Sequence, residues 1–161
     1  MSEECTHDCS SCGAACSSRD AAPKHDAPNP NSSVKKVIGV VSGKGGVGKS
    51  MTSALLACAM ARRGYHCGIL DADIYGPSQP KMFGLEGYLP EAEQVDGQDI
   101  ILPAEAMDMK IMSIGFFIKP SDALLWRGAM AVNALRQMIH QTRWGALDFL
   151  LVDLPPGTGD I

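Results

Sequence analysis

The sequence has few aromatic residues, no long apolar run and no excess of basic charge. Phenylalanine, tryptophan and tyrosine make up only 6% of the 161 residues, and no apolar run approaches the roughly 18 residues that cross a bilayer. The 14 lysines and arginines are outnumbered by 18 aspartates and glutamates, which gives a net charge of −4. A general nucleic-acid binder normally has a basic surplus, so neither nucleic acid nor a membrane is expected as a partner.

A secretory signal is also missing, because the first residues, MSEECTHDCSS, are acidic and polar. This favours a soluble, cytoplasmic protein in a reducing compartment, where disulfides are rare. What remains is an ordinary globular composition, with 45% hydrophobic and 20% charged residues.

Four of the six cysteines are crowded into the first sixteen residues, with the spacing C-x3-C-x2-C-x3-C. These four are Cys5, Cys9, Cys12 and Cys16. Several thiolates at close range suit a soft metal ion or an iron–sulfur cluster. We therefore expect residues 1–16 to bind an iron–sulfur cluster in preference to zinc. The alternative is that these residues form a tail of free thiols.

The rest of the chain divides into a linker and a folded body. Residues 17–35 lack an apolar period and are rich in Ser, Ala, Pro, Asn and Asp, which predicts a flexible linker. We expect strands at residues 36–42, 66–71, 110–117 and 146–154, helices at 49–63 and 122–143, and a small hairpin within 93–102. Strands that alternate with helices predict an α/β domain with a mostly parallel sheet over residues 36–161.

A glycine-rich segment, GKGGVGKS at residues 43–50, satisfies the pattern G-x-x-x-x-G-K-[ST]. It follows a predicted strand and opens a predicted helix, as this phosphate-binding loop requires. Its N–H groups can surround phosphate oxygens, the second lysine can reach the terminal phosphates, and the serine hydroxyl can ligate Mg²⁺. We therefore expect a nucleotide to be bound by Gly43, Lys44, Gly45, Gly46, Val47, Gly48, Lys49 and Ser50.

Three aspartates follow predicted strands. Asp71 and Asp73 end the second strand, and Asp153 ends the hydrophobic run FLLVDL. In a parallel sheet, the carboxyl ends of the strands meet beside the phosphate loop. One carboxylate of the first pair can orient a water molecule and the other can hold the Mg²⁺ shell, although either can instead cap a helix or a turn. Asp153 has the position of a carboxylate that contacts Mg²⁺ through water.

The first lysine of the loop, Lys44, makes the variant G-K-G-G-x-G-K-[ST], and here the sequence resembles the deviant Walker A ATPases. The resemblance implies that Lys44 reaches the phosphates of a partner across a nucleotide-sandwich dimer. By the same resemblance Asp73 orients the water and Asp71 lies on the metal side, with Asp153 as the Walker B carboxylate. The expected catalytic residues are therefore Lys44, Lys49 and Asp73, and the expected Mg²⁺ residues are Ser50, Asp71 and Asp153.

Four segments, SGKGGVGKS, DADIYGPSQP, LLWRGAM and LLVDLPPGTGD, resemble the Mrp/NBP35/ApbC family of iron–sulfur cluster carriers. The resemblance covers residues 35–161 and implies a P-loop ATPase fold that binds ATP with Mg²⁺. It also implies that ATP hydrolysis drives the transfer of a cluster, expected to be of the 4Fe–4S type, to apo iron–sulfur proteins. A homodimer is implied for the full-length form, and some members carry a four-cysteine N-terminal segment.

Members of that family continue well past the DLPPGTGD segment and carry a C-x-x-C pair there, whereas this sequence stops at Ile161. The resemblance therefore implies a carrier truncated after switch II, with residues 36–161 as the N-terminal part of its ATPase domain. A sheet that stops after the Walker B strand is expected to expose an apolar edge. The alternative functions are a partition- or division-site ATPase and a non-enzymatic metal-binding remnant of the carrier.

Overall fold

The chain folds around a five-stranded sheet, and the computed structural model describes its residues 30, 32–95, 97–117 and 129–157. The strands are β1 (Ser32–Val40), β2 (Cys67–Asp71), β3 (Ala92–Val95), β4 (Gln98–Ile101), β5 (Ala104–Ala106), β6 (Met109–Ser113) and β7 (Gly145–Asp153). The helices are α1 (Lys49–Ala61), α2 (Gln79–Met82) and α3 (Ala129–Gln141), with a 3₁₀ helix at Ile114–Phe116. The predicted cluster ligands Cys5, Cys9, Cys12 and Cys16 lie outside the described residues.

The strand order of the main sheet is β1-β7-β2-β6-β5, and all pairs are parallel except β5 with β6. Strands β3 and β4 form a separate antiparallel hairpin, as the sequence predicts. The predicted α/β fold with a mostly parallel sheet is therefore confirmed. The Walker B strand β7 is not an edge, because it pairs with β1 on one side and with β2 on the other. The edge strands among the described ones are β1, where Val37 is 63% exposed, and β5.

Of the three inner strands, β2 and β7 are largely apolar because both faces of the sheet are covered there. Neighbouring residues of a strand point to opposite faces, so Ile69 of β2 and Leu151 of β7 pack with Ala57 of α1. Leu70 and Leu150 belong to the larger cluster on the other face. A parallel sheet of this kind fixes the carboxyl ends of β2 and β7 against each other, and these ends carry the predicted site residues.

The largest differences from the sequence prediction are two strand boundaries and one additional strand. Strand β1 begins at Ser32, before the predicted start at residue 36, because its pairing with β7 extends to Ser32 beside Gly145. The predicted strand at residues 110–117 ends at Ser113, whose hydroxyl accepts a hydrogen bond from Gly115 N and starts the 3₁₀ helix. The short strand β5 is too brief to leave a pattern in the sequence.

Helix α1 agrees closely with the prediction for residues 49–63, and Gly64 follows it with a φ of +88°. Helix α3 covers part of the predicted segment 122–143, and the residues before Ala129 lie outside the described part of the chain. No helix within the described ranges is long and apolar enough to span a membrane.

Candidate nucleotide site

The carboxyl ends of four strands align in one row beside the phosphate loop. The pairing places Val40 of β1 beside Asp153, Asp153 beside Asp71, and Asp71 beside Ser113. The loop leaves β1 at this edge of the sheet and enters α1 at Lys49. The register of the sheet therefore brings Asp71 and Asp153 next to each other and next to the loop, although they are far apart in the sequence.

Two glycines give the phosphate loop its curvature. Gly46 and Gly48 have φ values of +75° and +88°, a region that strains residues with a side chain. Gly48 is the N-cap of α1, and its carbonyl accepts the first helical hydrogen bond from Thr52 N at 2.9 Å. The loop therefore turns sharply into the helix, as a loop that surrounds a phosphate group must.

A cleft of about 300 Å³ opens beside this loop, a volume at the lower end of the range for ligand sites. Residues 44–46 and 48–50 line it together with Asp73, and the segment after β2 adds Gly76 and Ser78. Most of the predicted phosphate-binding residues thus share one cleft with the predicted water-orienting carboxylate. Gly43 and Val47 are exposed on the same loop but do not belong to the lining.

Lys49 connects the loop to two of the aspartates. Its Nζ atom lies 2.6 Å from Asp153 Oδ1 and 3.6 Å from Asp73 Oδ2. The side chain of Lys49 is only 7% exposed and that of Asp153 is fully buried. A buried charge needs a partner of opposite sign. The Lys49 ammonium group therefore neutralises the Asp153 carboxylate, and it lies beside the loop that the sequence predicts to bind phosphate.

Gln79 is a second buried partner of Asp153. Its Nε2 atom donates to Asp153 Oδ2 at 2.9 Å and to the backbone oxygen of Ser50 at 3.1 Å. Two polar atoms of this segment, Gln79 Oε1 and Ser78 Oγ, are buried and have no hydrogen-bond partner. Buried polar atoms are nearly always paired, so Gln79 Oε1 can accept a hydrogen bond from a bound group or its water, and Ser78 Oγ can accept or donate one.

Asp71 holds the segment after β2 in place. Its Oδ2 atom accepts hydrogen bonds from Ser78 N at 2.9 Å, Gln79 N at 3.0 Å and Ser113 Oγ at 3.1 Å, and its Oδ1 atom accepts from Asp73 N at 3.2 Å. Asp71 is fully buried and does not line the cleft, whereas Asp73 does. Its predicted role on the metal side stays a prediction.

The pKa of the Asp71 carboxyl is raised to about 6, chiefly by burial and also by the neighbouring Asp153 carboxylate, while the hydrogen bonds from the backbone of Gln79, Asp73 and Ser78 act to lower it. We expect the contribution of Asp71 to the free energy of unfolding to fall as the pH rises. The folded chain holds this proton up to about pH 6, whereas an unfolded chain releases it near the ordinary pKa of 3.8. One pKa unit is worth about 1.4 kcal/mol, so the loss between about pH 4 and pH 6 is roughly 3 kcal/mol.

Urea unfolding of the chain and of Asp71→Asn between pH 4 and pH 7.5 measures this contribution. The side chain of the variant does not titrate in this range, so the difference between the two free energies isolates the carboxyl of Asp71. We expect the wild type to lose stability relative to the variant as the pH rises. A difference that stays constant with pH would contradict the prediction.

The sequence singled out neither Gln79 nor Ser113. Gln79 lies inside the DIYGPSQP segment, but its residue type does not indicate a contact with Asp153, 74 positions away. Ser113 is at the end of a strand, next to Asp71 in the register. In the described ranges, no group of three or more His, Cys, Asp or Glu side chains is arranged to hold a metal ion.

Comparison with known proteins places the chain in a family. A family model described as ParA, NUBPL iron-transfer P-loop NTPase, matches residues 33–161. The iron–sulfur cluster carrier protein of Aquifex aeolicus (strain VF5) is 52% identical over 129 residues, which are 80% of this chain and 35% of that protein. The iron–sulfur cluster carrier protein of Pseudomonas fragi is 51% identical over 129 residues, 80% of this chain and 44% of its own length.

A solved structure has the same fold over most of the described chain. It is the nucleotide-binding protein from Archaeoglobus fulgidus in complex with ADP, 43% identical, with a TM-score of 0.64 over 79% of this chain and 47% of that one. The chain thus spans less than half the length of these relatives. With its phosphate loop, parallel sheet and family match over residues 33–161, the chain belongs to the NUBPL iron-transfer P-loop NTPase family.

Proposed function

We propose that this chain is the nucleotide-binding part of an iron–sulfur cluster carrier that hydrolyses ATP to control the transfer of a cluster to apo iron–sulfur proteins. The observation that carries the proposal is the Lys49 ammonium group, buried between Asp153 and Asp73 at the phosphate loop. The relatives that are named iron–sulfur cluster carrier proteins and the ADP complex of the Archaeoglobus fulgidus protein support it.

The residues beside the loop fit a nucleotide with Mg²⁺. Hydroxyl and carboxylate oxygens are the ligands that Mg²⁺ prefers, and Ser50 and Asp153 are joined through the amide group of Gln79. The buried Gln79 Oε1 and Ser78 Oγ atoms lack partners that water around a cation can supply. We assign Ser50 and Asp153 to Mg²⁺, with Asp71 on the metal side. Bound there, Mg²⁺ would neutralise negative charge on the phosphates.

Lys49 binds the phosphates in this proposal and Asp73 orients the attacking water. Asp73 lines the cleft, where its Oδ1 atom accepts one hydrogen bond from Gly76 N at 3.2 Å and its Oδ2 atom is 3.6 Å from Lys49 Nζ. Each oxygen therefore keeps a lone pair for a water molecule. The ammonium group of Lys49 holds the Asp73 carboxylate beside the site at which the phosphate would bind.

Lys44 is the residue that we assign to a second copy of the chain. It is exposed and lines the cleft, and Ser42 Oγ donates to its backbone oxygen at 2.9 Å. A lysine on this exposed loop can meet the phosphates of a facing copy, where it would stabilise the charge of the transition state. We therefore propose a homodimer that closes over the two nucleotides.

We propose that the transferred cluster is held by Cys5, Cys9, Cys12 and Cys16 as a 4Fe–4S cluster, one of the types that four cysteine thiolates hold. Residues 1–16 serve as the cluster-binding segment and the residues from 17 to the start of β1 at Ser32 link it to the nucleotide-binding part, so the linker ends before the predicted residue 35. The linker allows the cysteines to approach an apo protein.

Anaerobic reconstitution with iron and sulfide tests the cluster half of the proposal. We expect the wild-type chain to become brown, with the visible absorption of an iron–sulfur cluster, and Cys9→Ser/Cys12→Ser to stay colourless. Cys58→Ser is the matched control, because Cys58 lies on α1 and is not one of the proposed cluster ligands, and this variant should reconstitute like the wild type. A wild-type chain that stays colourless and binds only zinc would refute the cluster assignment.

A further inference from the structure

Gln79 joins three parts of the nucleotide site. It is the first residue of α2 and follows the segment that carries Asp73. Its Nε2 atom donates to Asp153 at the end of β7 and to the backbone of Ser50 in the first turn of α1. A single side chain thus connects the phosphate loop, the Walker B strand and the segment with the water-orienting carboxylate.

One end of this amide group is left without a partner. Gln79 has no exposed surface, and its Oε1 atom forms no hydrogen bond. A buried carbonyl oxygen without a donor carries a desolvation penalty, and an amide that serves only to brace the fold usually has both ends paired. Because Oε1 and Nε2 share one carbon atom, the unpartnered oxygen lies beside the same Asp153 and Ser50.

We infer that Gln79 is a positioning residue for the Mg²⁺ ion of the nucleotide site. Its amino group holds Asp153 and the first turn of α1 at a fixed separation, so that the Asp153 carboxylate and the Ser50 hydroxyl serve one cation. Its Oε1 atom would be free to accept a hydrogen bond from water around the cation. The inference rests on the proposed nucleotide function.

The same contact couples the cation to the segment after β2. Asp71 binds the backbone N–H groups of Asp73, Ser78 and Gln79, so these residues form one hydrogen-bonded unit. A cation that fixes the side chain of Gln79 therefore also restrains the segment that carries Asp73. Removal of the amide group should therefore weaken nucleotide binding more when Mg²⁺ is present than when Mg²⁺ is absent.

Binding of a fluorescent ADP analogue to the full chain, with increasing MgCl₂ or with EDTA, tests the inference. We expect Gln79→Leu to raise the Mg²⁺ concentration of half-maximal effect by ~10–100-fold, the usual loss when a group that orients a metal ligand is removed. The affinity in EDTA should fall by a smaller factor than the affinity with Mg²⁺. Gln94→Leu, the same change on the exposed strand β3, is the matched control and should behave like the wild type.

Thermal unfolding of each variant identifies a loss of the fold, and Gln79→Met is the second variant if Gln79→Leu does not fold. The inference is overturned if either folded variant keeps the Mg²⁺ dependence of the wild type. It is also overturned if the affinities with Mg²⁺ and with EDTA fall by the same factor, because a side chain that only stabilises the fold would give that result. A wild-type chain that binds the analogue without any effect of Mg²⁺ would instead refute the proposed Mg²⁺ site itself.

Discussion

Replacing Lys49 by alanine should lower the affinity of this chain for ATP and ADP by ~100-fold or more. The substitution removes the only ammonium group within 4 Å of both Asp153 and Asp73 in the described part of the chain. Hydrogen bonds between charged groups are worth about 1.5–3 kcal/mol each, and Lys49 can form several with a phosphate. Titration with a fluorescent nucleotide measures the change.

The same variant should also be less stable. Without Lys49 the fully buried Asp153 carboxylate keeps only the neutral amide of Gln79, and an uncompensated buried charge costs about 3–5 kcal/mol. Urea unfolding should therefore show a large loss for Lys49→Ala and a partial recovery for Lys49→Ala/Asp153→Asn, which removes both charges. Nucleotide binding should not recover in the double variant.

Lys81→Ala is the matched control for both measurements, because Lys81 is exposed on α2 and does not line the cleft. We expect this variant to bind nucleotide and to unfold like the wild type. If Lys49→Ala bound ADP within a factor of about three of the wild type, the assignment of the phosphate site to this loop would be wrong.

Asp73→Asn should slow ATP hydrolysis by ~100–10,000-fold, the usual contribution of a positioned base, and should change ADP affinity only slightly. The amide has nearly the size of the carboxylate, so the cleft keeps its shape. However, the amide cannot accept a proton, and it loses the charge that faces the Lys49 ammonium group 3.6 Å away. Single-turnover hydrolysis and ADP titration separate the two effects.

Two further variants serve as references for the hydrolysis measurement. Asp99→Asn, on the exposed strand β4, makes the same chemical change away from the cleft and should leave the rate unchanged. Lys49→Ala gives the background rate. Equal rates for Asp73→Asn and the wild type, both above this background, would remove Asp73 from the mechanism. A wild-type rate no higher than the background would favour a metal-binding remnant over an ATPase.

Local features of the site were predictable because their chemistry depends on neighbours in the sequence. The glycines at positions 46 and 48 and the lysine at position 49 lie on one turn between a strand and a helix, so their spacing alone indicates a phosphate loop. The strand that ends at Asp153 was also recognisable, because a strand covered on both faces is apolar throughout. The length of β1 was less predictable, since its first residues are held by pairing with β7.

Contacts across the sheet could not be predicted in the same way. The sequence placed both Asp71 and Asp153 at strand ends, but only the strand order β7-β2-β6 sets Asp71 between Asp153 and Ser113. In that position burial raises the pKa of Asp71 and the backbone of the following segment surrounds its carboxylate. The alternative that the sequence left open for Asp71, a carboxylate that caps the backbone of a turn or a helix, is therefore what these contacts show.

The sequence by itself determined the phosphate loop, the α/β architecture and the resemblance to the carriers, because glycine spacing, apolar runs and strand-ending aspartates are properties of short segments. The tertiary structure alone decided that Lys49 meets Asp153, that Gln79 connects Asp153 to the turn of Ser50, and that β1 is an edge strand. These contacts join residues 29 to 104 positions apart. They depend on strand order and register, which are set by packing over the whole sheet rather than by any one segment.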